Sequence, residues 1–228
     1  MYNEAHRLKS FSEKLSEYQK TTSLEIQYIA VCDGCTDQTV QRLSELKLPR
    51  PLEIVSYAHN RGKGGAVIEG LKHAKGEVVG FMDCDFSTSP FELERLPEHF
   101  KLGYDFIMAN RMVNRKNHFS LTRSFASTIF RMLNSLALKH LYSDTQAGFK
   151  FFKSRYIEYF SKNMIIERYA FDVEMIYLCE LSNLRVGYIE VEWKNDSDSK
   201  VRIIRDSARM AWDLMKIVLN KSYKDLRD

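Results

Sequence analysis

The chain has 228 residues, 44% hydrophobic and 12% aromatic, enough to bury one sizeable core in a single domain or a domain with an appendage. A net charge of +4 and a pI near 8.7 suit anionic phosphates or a membrane surface and are too mild to point to nucleic acid. No uncharged apolar run reaches the roughly 18 residues of a spanning helix, no signal-peptide pattern precedes the first polar residues, and four scattered cysteines do not make a disulfide framework.

The predicted elements alternate without linker or repeat. A helix runs from about Glu4 to Gln19 with Asn3 as N-cap, and a strand follows over Ile26–Val31, ending at Asp33-Gly34. A helix over Thr36–Leu46 leads to a strand over Leu52–Tyr57, and Gly62–Lys75 is a helix entered through glycines. Glu77–Met82 is a strand, Ser89-Pro90-Phe91-Glu92 is a capping box with proline at the first helical position, and Asp105–Ala109 is a further strand. Such alternation is expected of a parallel sheet flanked by helices. Unusually, the series opens on a helix, with Met1-Tyr2-Asn3-Glu4 placed like a ligand loop whose strand is missing.

Asp83-Cys84-Asp85 closes the apolar run Val78-Val79-Gly80-Phe81-Met82. In open α/β sheets ligands bind beyond the carboxyl ends of the strands, and two carboxylates there can hold a hard divalent cation against a diphosphate. A plain turn accounts for the same two residues. Cys32 and Cys35 have C-x-x-C spacing, but no second pair or paired histidines complete a zinc site, so they read as thiols in a reducing, cytosolic setting.

Seven blocks carry a resemblance: Tyr2-Asn3-Glu4, Val31 to Asp37, Asn60 to Ala66, Asp83-Cys84-Asp85, Asp144 to Lys150, Phe171-Asp172-Val173-Glu174, and Val191-Glu192-Trp193 through Ser199-Lys200. In order and spacing the chain resembles the inverting GT-A glycosyltransferases of family 2, and within them the polyprenyl-phosphate branch, the dolichyl-phosphate glucosyl type before the mannosyl type. The resemblance implies a Rossmann-like α/β fold with a mostly parallel sheet, its first strand apparently missing. It implies a catalytic domain over 1–201 and an amphipathic helix over 202–228, packed on that domain or on a membrane. Cys32 stands where the family usually has aspartate and Cys35 where it has serine.

The resemblance also distributes roles. On the nucleotide side, Tyr2 stacks on the base or is an exposed tyrosine, and Glu4 pairs with the nucleotide region or only favours its helix dipole. Asp33 hydrogen-bonds the base, and Lys63 meets phosphate at a glycine-rich helix start whose free N–H groups attract anions. Asp85 ligates Mg²⁺ or Mn²⁺, with Asp83 reaching the ribose or a metal-bound water. Arg111 and Arg123 hold the acceptor phosphate, with Lys150 and Lys200 as weaker candidates and Asp144 and Gln146 lining the acceptor side.

Two stretches read as basic, aromatic-rich amphipathic helices: Phe119–Leu141, and a stripe of Ile204, Ala208, Ala211, Trp212, Met215 and Val218 opposite Arg202, Arg205, Arg209 and Lys216. Each suits either a core contact or a membrane interface. The expected reaction moves a hexose from UDP-glucose, or from GDP-mannose, to a polyprenyl phosphate at the cytoplasmic face of a membrane. A polyprenyl phosphate, with a second pKa near ~6, is already an anionic nucleophile and needs positioning more than a base. Two alternatives stand beside it. A saccharide-hydroxyl acceptor would need a base such as Asp144, Asp172 or Glu174, and a truncated, non-catalytic nucleotide-binding chain would account for the absent strand.

Overall fold

The computed structural model describes residues 1–111, 138, 142, 144–192, 203–220 and 223, and for 203–208 the backbone alone. Helix α1 (Leu8–Thr21) buries Leu8, Phe11, Leu15 and Tyr18, a stripe at helical spacing. It begins later than expected because Asn3 is not its cap. Asn3 sits at φ 53, and its side-chain oxygen accepts from Thr36 N at 2.8 Å, pinning the loop after β1 (Tyr28–Asp33).

Helix α2 (Thr39–Ser44), β2 (Leu52–Tyr57), α3 (Lys63–Leu71) and β3 (Val78–Met82) follow in the expected order. Ser89 accepts from Phe91 N, and its proline-led turn forms a 3-10 helix over Pro90–Arg95 that runs into α4 (Leu96–Lys101). Then come β4 (Phe106–Arg111), β5 (Phe149–Lys153), α5 (Ile157–Asn163), α6 (Phe171–Leu181), β6 (Val186–Val191) and α7 (Ile203–Leu219).

The strands form two sheets. β1 and β2 pair in parallel, Tyr28 opposite Leu52, while the second sheet has the order β3-β5-β4-β6. β3, β4 and β6 share one direction, and β5 lies antiparallel between β3 and β4.

The division falls where a first strand was expected. On its edge away from β2, β1 meets Met1 alone: Met1 N donates to Val31 O, and Asp33 N donates to Met1 O at 2.8 Å. Backbone alternation turns Ile29 to that same edge. On β3, Glu77 O and Asp83 N bond toward β5, so Val78, Gly80 and Met82 face the other way. Among the described residues no strand pairs with either edge. Helix α3 packs across the division, against β1 and β3 together.

The main core lies on one face of the second sheet, where α6 is buried along its whole length. Phe106, Phe152, Phe160 and Phe171 are fully buried there, each worth about 1.5–3 kcal/mol relative to exposure. Helix α7 buries Leu214 and Ile217 but exposes Trp212, Met215 and Val218. Of the expected apolar stripe, Trp212, Met215 and Val218 thus face solvent, Ala211 is half-buried, the side chains of Ile204 and Ala208 lie outside the described residues, and a neighbouring face of the helix packs against α6. Among the described residues no helix is long and apolar enough to cross a membrane.

Candidate active site

Asp33, Asp83 and Arg111 sit at the carboxyl ends of β1, β3 and β4, and Lys63 opens α3. Gly148 and Lys150 arrive from β5 and the loop before it, so the antiparallel insertion brings a second set of residues to the same end. Three charge pairs result.

Lys63 Nζ lies 2.6 Å from Asp83 Oδ1. Arg111 grips Asp144 through two nitrogens, at 2.5 and 2.8 Å, and its backbone N–H donates to the same carboxylate. Lys150 Nζ, fully buried, donates to Asp172 at 2.6 Å and to Ala147 O at 2.8 Å. Among the described residues each of these three cations has its own carboxylate partner, and full burial is confined to Lys150 and Asp172, where such pairing keeps buried charge tolerable.

The titration directions follow. Burial opposes ionisation of Asp83 and is the largest single influence, but Lys63 together with Lys150 and Arg111 outweighs it and holds the carboxyl below the usual carboxylate range. Burial would also lower Lys63, yet Asp83 and Asp172 together raise it above an ordinary lysine. Lys150 goes the other way, because its burial exceeds what Asp172 returns. Arg111, despite burial, is raised by its fork to Asp144.

Asp85 lies beyond the strand end. Its Oδ1 accepts from Ser87 N at 2.8 Å, and its carbonyl accepts from Lys14 Nζ at 2.9 Å. Next to it, Phe86 is held at φ 52 and stacks on Phe11 with ring centroids 5.4 Å apart. Non-glycine residues in that region are uncommon and cluster at functional sites.

In the glycine-rich turn part of the amide set serves the fold: Arg61 N and Gly62 N donate to the Asp33 carboxylate at 2.7 and 2.8 Å, and Gly65 N donates to Glu167 O at 3.0 Å. Asn60 Nδ2 adds a third donor to Asp33 at 2.9 Å. Asp33 thus ties the β1 turn to the α3 entry, and Lys63 is the group directed at the β3 end.

Tyr2 is 42% exposed, while Glu4 is buried, with its backbone N–H donating to Thr39 Oγ1 and its carboxylate 3.4 Å from Arg7. Gln146 N donates to Asp144 at 3.3 Å, placing Gln146 beside the Arg111 fork. Lys150 lies beneath the surface, closed off by Asp172 and Phe81. Arg123, Lys200 and the Phe119–Leu141 stretch lie outside the described residues, apart from Leu138.

Sequence reasoning missed Gly148. A Cβ there would stand 2.0 Å from Asp83 Oδ2, so only glycine leaves room for this carboxylate. The glycine is visible in the chain, but its neighbour is set by the β3–β5 register.

Among the described residues no three His, Cys, Asp or Glu side chains converge as a ready-made metal cage. Mg²⁺ or Mn²⁺ held by one or two carboxylates, with phosphate oxygens and water completing its shell, does not require one. The all-oxygen donors Asp83 and Asp85 fit such a cation.

In fold the chain is similar to mannosyl-3-phosphoglycerate synthase from Rubrobacter xylanophilus, with a TM-score of 0.68 and 17% identity over 100% of this chain and 73% of that one. It is also similar to glucosyl-3-phosphoglycerate synthase from Mycobacterium tuberculosis, solved in complex with Mn²⁺, UDP-glucose and phosphoglyceric acid. That match has a TM-score of 0.67 and 15% identity over 100% of this chain and 78% of the other. The fold class is that of the GT-A glycosyltransferases.

The family model for Glycosyl transferase family 2 matches residues 1–160, and the chain belongs to that family. Its relatives include dolichyl-phosphate beta-glucosyltransferase of Drosophila melanogaster, 31% identical over 95% of this chain and 72% of that protein. Dolichyl-phosphate beta-glucosyltransferase ALG5C of Trichomonas vaginalis is 28% identical over 96% of this chain and 68% of its own length.

Proposed function

We propose that this chain transfers glucose from UDP-glucose to dolichyl phosphate, inverting the anomeric centre. The observation that carries this reading is the juxtaposition of two half-sites, the Asp83–Asp85 strand end with Lys63 and the Arg111–Asp144 fork, joined by Gly148 and β5. The names of the relatives supply the sugar and the acceptor.

Each residue has a task in this scheme. Tyr2 and Glu4, with Asp33 holding the β1 turn, form the nucleotide side. Lys63 and Asp83 orient the sugar diphosphate. Asp85, with Asp83, would hold a divalent cation, which supplies charge stabilisation to the departing diphosphate. Arg111, with Gln146 beside it, receives the acceptor phosphate, exchanging part of its grip on Asp144 for phosphate oxygens. Arg123 and Lys200 are further candidates on that side by family resemblance.

A phosphate monoester needs no base to attack, being anionic at neutral pH with a second pKa near ~6. In-line displacement of an α-linked donor then gives a β-linked product. The saccharide-hydroxyl alternative is disfavoured by the carboxylates it would need. Asp144 is held by Arg111, Asp172 by Lys150, and Glu174 by Ile165 N and Ile166 N.

The acceptor is a lipid, so the proposed reaction takes place at a membrane surface. Exposed Trp212, Met215, Val218 and Leu219 on α7 support that placement. The test offers UDP-glucose or GDP-mannose with dolichyl phosphate or a free saccharide, with and without chelator. Metal-dependent glucosylation of the lipid phosphate is the expected result. Transfer only to the saccharide, or only from GDP-mannose, would overturn the assignment.

A further inference from the structure

Cys32 and Cys35 find no role in the reaction above, yet the fold brings them together. Cys32, next to last in β1, is fully buried among Leu8, Phe11, Ala30 and Leu43. Cys35, past the turn, packs on the same cluster and stays partly exposed. Both border one apolar cluster across a tight turn, in which Gly34 N donates to Cys32 O at 3.1 Å, and Cys35 Sγ donates to Met1 O at 3.5 Å.

The intervening turn is Asp33-Gly34. Gly34 sits at φ 62, and a Cβ there would meet Asn60 N at 2.4 Å, so the turn is wedged against the segment that enters α3. Asp33 fixes the same segment through Asn60, Arg61 and Gly62. Any movement of Cys35 relative to Cys32 therefore passes to the α3 entry and to Lys63 beyond it.

We propose that Cys32 and Cys35 are a disulfide-forming pair whose oxidation by a small-molecule disulfide reshapes the Asp33 turn and weakens nucleotide binding. The gating half of this proposal rests on the donor-site reading above. The pair itself does not.

The chemistry balances as a thiol exchange. The accessible Cys35, as thiolate, attacks one sulfur of the small disulfide, forming a mixed disulfide and releasing one small thiolate. Cys32 then gives up its proton and attacks the Cys35 sulfur; the protein S–S bond forms and the second small thiolate leaves. Two protein thiols are oxidised, one small disulfide is reduced, and two small thiols carry the protons. Burial, with the neighbouring Cys35 next in effect, pushes the Cys32 thiol up to about 11, consistent with Cys35 reacting first. A disulfide bond is ~2.05 Å long, shorter than any non-bonded approach of two sulfurs, so closure draws Cys35 toward Cys32 and away from Met1 O.

The experiment treats the full chain with glutathione disulfide, counts free thiols, maps peptides by mass spectrometry and titrates UDP by calorimetry before and after dithiothreitol. We expect the four free cysteines to fall to two, with Cys32 linked to Cys35. UDP affinity should drop ~10-fold, within the usual range of coupling between sites, and recover on reduction. Cys35→Ser should keep its UDP affinity under the same oxidant. A link through Cys84, no link at all, or a Cys32–Cys35 link with unchanged UDP affinity would overturn the proposal. If neither form binds UDP, the donor-site reading fails and the gating with it, while the mass map still decides whether the pair closes.

Discussion

Asp83 and a side chain at position 148 cannot share the same space, which makes Gly148→Ala a sharp probe of the donor side. The added Cβ would sit 2.0 Å from Asp83 Oδ2, and relief means swinging the carboxylate away from Lys63. Overpacking of this kind costs roughly 1–3 kcal/mol of stability. Glucosyl transfer should fall further than that loss explains, which parallel denaturation and kinetic measurements would detect. Asp85→Ala should leave the fold intact by circular dichroism and lower transfer by about 10²-fold or more, as removal of a charge-stabilising group commonly does.

Glu174 gives a pH signature. Burial outweighs its bonds from Tyr223, Ile165 and Ile166 and raises its carboxyl from the ordinary 4.5 to about 6. The folded state therefore holds this proton more tightly than the unfolded chain does. The resulting stabilisation is complete below pH ~4.5 and is lost as pH rises through 6, on the order of 2 kcal/mol in all. Denaturant titrations of wild type and Glu174→Gln across this window should show the wild-type advantage shrinking as pH rises. A constant difference would contradict the assignment.

At the scale of elements, the divided sheet predicts uneven protection. Ile29 and Val31 on β1, and Val78, Gly80 and Met82 on β3, turn their amides to edges that no described strand pairs. Met108 lies in β4, flanked on both sides by β5 and β6. Hydrogen exchange should be faster at the first five than at Met108, and equal protection would mean that the edges are covered.

Element positions were legible in the sequence where local signals acted alone. β2 matches its expected bounds at Leu52 and Tyr57, and β3 differs by one residue. They failed where distant contacts decide. Asn3 was recruited by Thr36 rather than by α1, and β5 entered the sheet without an alternating pattern to announce it. Helix α7 carries apolar residues on two faces, and spacing alone could not choose Leu214 and Ile217 as the buried pair. The exposed stripe makes its own prediction: Trp212→Ser should weaken binding to lipid vesicles in flotation while leaving the Leu214 contact in place.

For the whole molecule, the two half-sites have different origins. The place of Asp83 and Asp85 at the carboxyl end of β3 was legible because an apolar run closed by paired carboxylates marks a strand end. The charge pairs, Lys63 with Asp83 and Lys150 with Asp172, were not, since they depend on how α3, β5 and α6 converge. Among the described residues Lys63, Arg111 and Lys150 are each paired with a carboxylate before any ligand arrives, so an incoming diphosphate and an acceptor phosphate must bring or displace counter-charge. In the proposed function a divalent cation on the Asp85 side and an exchangeable fork on the Arg111 side meet that requirement.

The most direct measurement compares dolichyl phosphate with dolichol as acceptors for radiolabelled UDP-glucose under identical conditions. The account predicts label in the lipid phosphate product alone, because the attacking atom is a phosphate oxygen. Equal labelling of dolichol, or no label in either lipid while a saccharide is glucosylated, would contradict it.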